Sequence, residues 1–194
     1  MNILDIIKIG IVCGVALLAG CASYPRCIND VCAVFDQRDG LFDNWRSGAR
    51  RASAKYGVPV PVLMATVRME SGFKHNARPP RRKVLGIFPG PHISSAYGYS
   101  QALDRTWNHY KKETGRFAAR RTNFSGAVDF VGWYHARSAE KLGIARNDTY
   151  RLYLAYYLGW KGYSRGGWSN GIDRYARQTD GMARRYATQL VNCP

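Results

Sequence analysis

The stretch VLMATVRMESGF, Val62 to Phe73, limits this chain more than any other. It is almost wholly apolar, and an element that is apolar all round belongs in a protein interior. Pro59 and Pro61 mark its start and Gly72 is a natural C-terminal stop, so the segment reads as a buried helix. Its last turn carries Glu70. Helix carbonyls point outward at that end and leave a partial negative charge, so the dipole and burial both oppose ionisation of a carboxyl there. On chemistry alone a helix-end Glu is most simply a half-exposed surface acid.

The rest of the chain also follows a helical period. Leu41 to Gly57 places Leu41, Phe42, Trp45, Ala49, Ala52 and Tyr56 near one face, with basic residues opposite. Further helices are expected from about Gln101 to Thr114, from Phe124 to Leu142 after the N-cap Asn123, from Thr149 to Leu158 after Asp148, and from Ile172 to Val191. Between them Ala77 to Ser95 reads as a long basic loop broken by Pro79, Pro80, Pro89 and Pro91. No segment sustains strand alternation and no internal repeat occurs, so the expected class is mainly α. A chain of 194 residues that is 46% hydrophobic can bury one substantial core.

The N-terminus has its own character. Ile9 to Gly20 is an apolar run too short to span a bilayer comfortably, and it ends in small residues as secretory signals do. The junction Leu18-Ala19-Gly20-Cys21 resembles a bacterial lipoprotein signal, which implies cleavage before Cys21 and acylation of that cysteine. Ala22 resembles the outer-membrane sorting pattern of enteric lipoproteins. Residues 1–20 are then a signal peptide, residues 21–40 an aperiodic tether, and residues 41–194 the folded domain. Export leaves Cys27, Cys32 and Cys193 in an oxidising compartment, where either Cys27 pairs with Cys32 or one of them ties the tether to Cys193.

Several patterns carry no chemistry. Gly162 to Gly166 and Gly167 to Gly171 both match G-x-S-x-G, but a nucleophile elbow needs a preceding strand, and Tyr150, Tyr153, Tyr157 and Trp160 recur at helical spacing instead. His75, His92, His109 and His135 are scattered and no Cys-x-x-Cys occurs, so no metal and no cofactor is expected. The formal charge of +16 concentrates anions, yet the basic clusters are spread over several elements and match no nucleic-acid motif. No specific nucleic-acid partner is expected. An anionic cell wall suits the charge.

Three segments change the reading of Glu70: Glu70-Ser71 closing the apolar helix, Ser94-Ser95-Ala96-Tyr97-Gly98-Tyr99-Ser100-Gln101, and Ala155-Tyr156-Tyr157-Leu158-Gly159. In this order they resemble the lytic transglycosylases of the soluble (SLT) type. Tyr99-Ser100 stands where that family has Leu-Met, and Tyr157 where it has Asn. Gly162-Tyr163 suits a lipoprotein branch of the family.

The resemblance implies a lysozyme-like single catalytic domain that acts on peptidoglycan glycan strands, held to the outer membrane of a bacterial envelope, facing the periplasm, through lipidated Cys21. It implies Glu70 as catalytic acid and then base, with Ser94, Gln101 and Tyr156 contacting substrate. Cleavage of the bond between N-acetylmuramic acid and N-acetylglucosamine would leave 1,6-anhydro ends. Asp104, Asp129, Glu140, Asp148 and Asp173 are expected to be surface or capping groups. Trp160, Tyr163 and Trp168 are candidates to line the groove or anchor a loop. The rival readings are a muramidase-type hydrolase and a noncatalytic wall-binding lipoprotein.

Overall fold

The computed structural model describes residues 24–39, 43–84 and 87–193. Cys13 and Cys21, the signal segment, and Leu41 and Phe42 lie outside the described residues. Seven helices form the described chain: α1 (Val31–Phe35), α2 (Trp45–Tyr56), α3 (Val60–Ser71), α4 (Asp104–Thr114), α5 (Phe124–Leu142), α6 (Thr149–Arg165) and α7 (Asn170–Leu190). Two small antiparallel ribbons join them, β1 (Arg38–Asp39) with β2 (Asp43–Asn44), and β3 (Arg81–Val84) with β4 (Phe88–His92). The class is mainly α, as the periodicity indicates.

The apolar segment occupies the centre. Leu63, Met64 and Val67 of α3 are fully buried, and α2, α5 and α7 all pack against this helix. Its ends follow from local chemistry, with Pro at the first turn and Gly72 closing the last in a left-handed conformation. Elsewhere Asn44, Asn123, Asp148 and Ser169 accept hydrogen bonds from backbone N–H groups in the first turns of α2, α5, α6 and α7. An aromatic nucleus of Trp45, Tyr99 and Phe124 joins α2 and α5 to the turn before α4, with the Trp45 and Phe124 rings stacked 4.2 Å apart.

Three features depart from the sequence reading, and one choice that it left open is decided. The segment expected to be a tether contains α1, whose Val31, Val34 and Phe35 enter the core against α7. Of the two pairings left open, the second holds: Cys32 of α1 is bonded to Cys193, 161 positions away, while Cys27 is free and exposed. The expected basic loop folds partly into β3 and β4; Pro89 and Pro91 are tolerated because each strand of a two-stranded ribbon is an edge. Helix α6 runs past Leu158 because Gly159, at φ 70° and ψ 161°, kinks the helix and does not end it.

Asp129 is the clearest correction. It is 6% exposed, not a surface acid, and it accepts from Tyr110 Oη (2.7 Å), Tyr56 Oη (2.9 Å) and Arg116 (3.2 Å), with Lys55 Nζ at 3.4 Å. The buried charge is met from α2, from α4 and from the segment after α4, and it locks these to α5. The other acids behave as surface or capping groups: Asp104 pairs with Arg121, Glu140 with Arg137, Asp173 with Arg177, and Asp148 caps α6.

Candidate active site

The last turn of α3, the turn before α4 and the middle of α6 meet at a cleft of about 670 Å³. Its walls include Glu70, Ser94, Gln101 and Tyr156, so the residues named from three distant segments share one cavity. Met69, Pro79, Pro80, Leu103, Tyr153, Tyr157 and Tyr175 complete the lining with Ala96. Glu70 is the only carboxylate among the described lining residues.

Burial dominates the chemistry of Glu70 and pushes its carboxyl from 4.5 up to about 7. The opposing influence is the Tyr153 hydroxyl, which donates to the carboxylate and favours its charged form. Glu70 nevertheless keeps a partly open side toward the cleft. The group is therefore an acid that still holds a large share of its proton at neutral pH and can be reached by a ligand.

Tyr156 is fixed from behind. Its hydroxyl donates to the Ser100 carbonyl at 2.5 Å, and its ring packs on Tyr134 and His135. Burial first and then the nearby Glu70 charge hold the Tyr156 hydroxyl well above its ordinary value, so it stays neutral. His135 also supports the helix that carries Glu70. The Thr66 hydroxyl donates to the Val62 carbonyl at 2.9 Å, so it accepts from His135 Nε2–H at 2.9 Å. That fixes the tautomer, and burial pushes the imidazole down to about 3, which leaves it uncharged beside the site.

Gln101 occupies a strained position at φ 48°. Its amide nitrogen donates to the carbonyls of Gly98 (2.8 Å) and Ala77 (2.9 Å), which leaves the amide oxygen for a ligand. Gly98 makes this turn possible: at φ 74°, an added Cβ would lie 2.2 Å from the Arg121 carbonyl oxygen. Ser94 is exposed at the rim, where its hydroxyl caps the Ala96 N–H at 3.3 Å. Among the described residues no cluster of His, Cys, Asp or Glu could hold a metal.

Residues 9–193 match the transglycosylase SLT domain family. The chain belongs to that family. Membership supports a lytic transglycosylase whose substrate is peptidoglycan. No curated protein matched the chain in a separate comparison.

Sequence reasoning about this SLT-domain chain missed several lining residues. Tyr153 was legible, since it lies three positions before Tyr156 and so shares its helix face. Tyr157 is 51% exposed and faces Tyr175 of α7, with ring centroids 6.4 Å apart. Nothing local in the sequence marks Tyr175. Of the three groove candidates, Trp160 lines not this cleft but a second cavity, with Tyr134 and Gly159, whereas Tyr163 and Trp168 stack on each other and line neither.

Proposed function

We propose that Glu70 is the catalytic acid and base of a non-hydrolytic cleavage of the β-1,4 bond between N-acetylmuramic acid and N-acetylglucosamine. Glu70 gives its proton to the bridging oxygen as the bond from C1 to that oxygen breaks. The resulting carboxylate then takes the proton of the muramic 6-hydroxyl while that oxygen bonds to C1. The product is a 1,6-anhydro end, the acid is regenerated, and no water is consumed. The substrate's own N-acetyl group stabilises the cationic centre at C1. Gln101 and Ser94 hold the sugar through hydrogen bonds, and Tyr156 contacts it beside Glu70.

One observation carries this reading: a single carboxyl raised to about 7 lines the cleft, and no second described carboxylate lines it. Hydrolases of the usual types use a pair, the second acting as nucleophile or as base on water. Mass spectrometry of digested peptidoglycan tests the proposal. Anhydro-ended muropeptides are expected; reducing ends alone would mean a muramidase, and no release by wild type would leave a wall-binding protein. The proposal includes anchoring of the chain by lipidated Cys21 to the outer membrane on its periplasmic side, supported by the sequence of the junction. Radiolabelled palmitate should enter wild type but not Cys21→Ser, and equal labelling would contradict the anchor.

A further inference from the structure

The catalytic cleft does not end at Tyr156. A cavity of about 200 Å³ shares Gln101, Leu103, Tyr156 and Tyr157 with it, and a third of about 530 Å³ shares Thr106, Tyr134, Leu158 and Gly159 with the second. Shared walls make the three one groove. The kink at Gly159 accounts for its course. Residues of α6 before the kink line the Glu70 cavity, and Trp160, Lys161 and Arg165 after it line the far end. The backbone of Gly159 has φ 70° and ψ 161°, a conformation open in practice only to glycine, and nothing lies within 4 Å of where its Cβ would stand.

The far end differs chemically from the cleft. Arg105, Lys161 and Arg165 line it, all exposed, and none forms an ion pair with a described residue. No carboxylate is among its described lining residues. Its His109 lies 3.1 Å from Glu113, and its floor carries the stacked rings of Tyr134 and Trp160, 5.3 Å apart, with Lys141 Nζ over the Trp160 ring at 4.2 Å. With 29 Lys and Arg against 13 Asp and Glu, cations without an acidic partner are common in this chain, and what distinguishes these three is that they line one cavity together. Three unpaired cations around an aromatic floor, continuous with the catalytic cleft, form a site for an anion attached to the substrate.

We infer that the groove beyond Gly159 binds the carboxylate-bearing stem peptide of the peptidoglycan strand held at Glu70. The inference rests on the peptidoglycan reading above. The sugar backbone with its lactyl group in amide linkage is uncharged, so cations gain nothing from it, whereas the stem peptides carry free carboxylates. Arg and Lys side chains at the groove rim pair with them, and the aromatic floor takes the apolar parts of the peptide.

The test uses soluble peptide-bearing glycan strands and the same strands with their peptide carboxylates converted to amides. Binding to the full chain is measured by calorimetry at low salt, and cleavage is followed separately by mass spectrometry. Wild type should prefer the free carboxylates by roughly tenfold, the effect of a few partly exposed ion pairs, with the preference shrinking as salt is raised. In the combined Arg105→Gln, Lys161→Gln, Arg165→Gln variant the ratio should fall to about one. An equal affinity of wild type for both strands, or an unaltered ratio in the variant, overturns the inference. If wild type shows the preference and cleaves neither strand, the peptide site stands and the catalytic reading falls. Cleavage without the preference has the opposite meaning. An inhibition by polyphosphate that exceeds that of the free stem peptide would reassign the site to a phosphate polymer and overturn the inference.

Discussion

Replacing Glu70 by Gln should stabilise the protein while abolishing its chemistry. Burial raises the carboxyl from 4.5 to about 7 in the folded chain, which corresponds to roughly 3 kcal/mol against the ionised form. The open side toward the cleft makes this an upper figure. The folded state binds more protons than the unfolded state between those two values, so wild-type stability falls as pH rises through this window. Below about pH 4.5 the acid is neutral in both states and carries no such penalty; above about pH 7 the penalty is complete. Gln has a similar shape, keeps a partner for Tyr153 and never ionises. Urea unfolding from pH 4.5 to 8 should show the variant gaining on wild type as pH rises, by up to about 3 kcal/mol at pH 8. Parallel stability profiles for the two proteins would refute the reasoning, because they would mean that Glu70 ionises equally easily folded and unfolded.

Three other substitutions probe the supports of the site. Tyr153→Phe removes the donor that favours ionised Glu70, so the Glu70 carboxyl should rise above about 7 and the alkaline limb of the pH–rate profile should move to higher pH; a fixed or acid-shifted limb contradicts this assignment. Cys32→Ser opens a bond that closes a loop of 161 positions and should cost about 5 kcal/mol on the loop-entropy account, read as a lowered denaturant midpoint, with a loss near zero as the contrary result. Asp129→Ala leaves the hydroxyls of Tyr56 and Tyr110 without their acceptor and should cost about 3 kcal/mol in thermal or urea unfolding, while a change within about 0.5 kcal/mol would return Asp129 to the role of a surface acid.

The elements that were legible in the sequence are those whose limits are set locally. Helix α5 runs from Phe124 to Leu142 because Asn123 caps one end and Gly143 closes the other, and both signals lie within the segment. Helix α1 escaped because five residues cannot display a period; its place comes from packing on α7 and from Cys193 at the far end of the chain. The β3–β4 ribbon escaped because its prolines suggest irregular chain and its short strands need only each other. Asp129 was misread for a different reason. Its neighbours in sequence say nothing of Tyr56 and Arg116, which come to it from other elements.

The cleft shows the same division. Glu70 stood out because its own segment is apolar, so the cause of its raised pKa was visible in a dozen letters. The groove that continues from it depends on a kink at Gly159 and on α4 lying opposite α6, which no local pattern specifies. Sequence thus located the buried carboxyl, and tertiary structure supplied the cavities around it.

The most direct test of the account is a titration of Glu70 itself, by NMR of the folded chain with its glutamate side-chain carboxyls labelled and the signal assigned by Glu70→Gln. The account predicts a midpoint of about 7, displaced upward by burial in the cleft. A midpoint near the ordinary 4.5 would mean that the carboxyl is ionised and solvated at neutral pH, with no proton to give to a glycosidic oxygen.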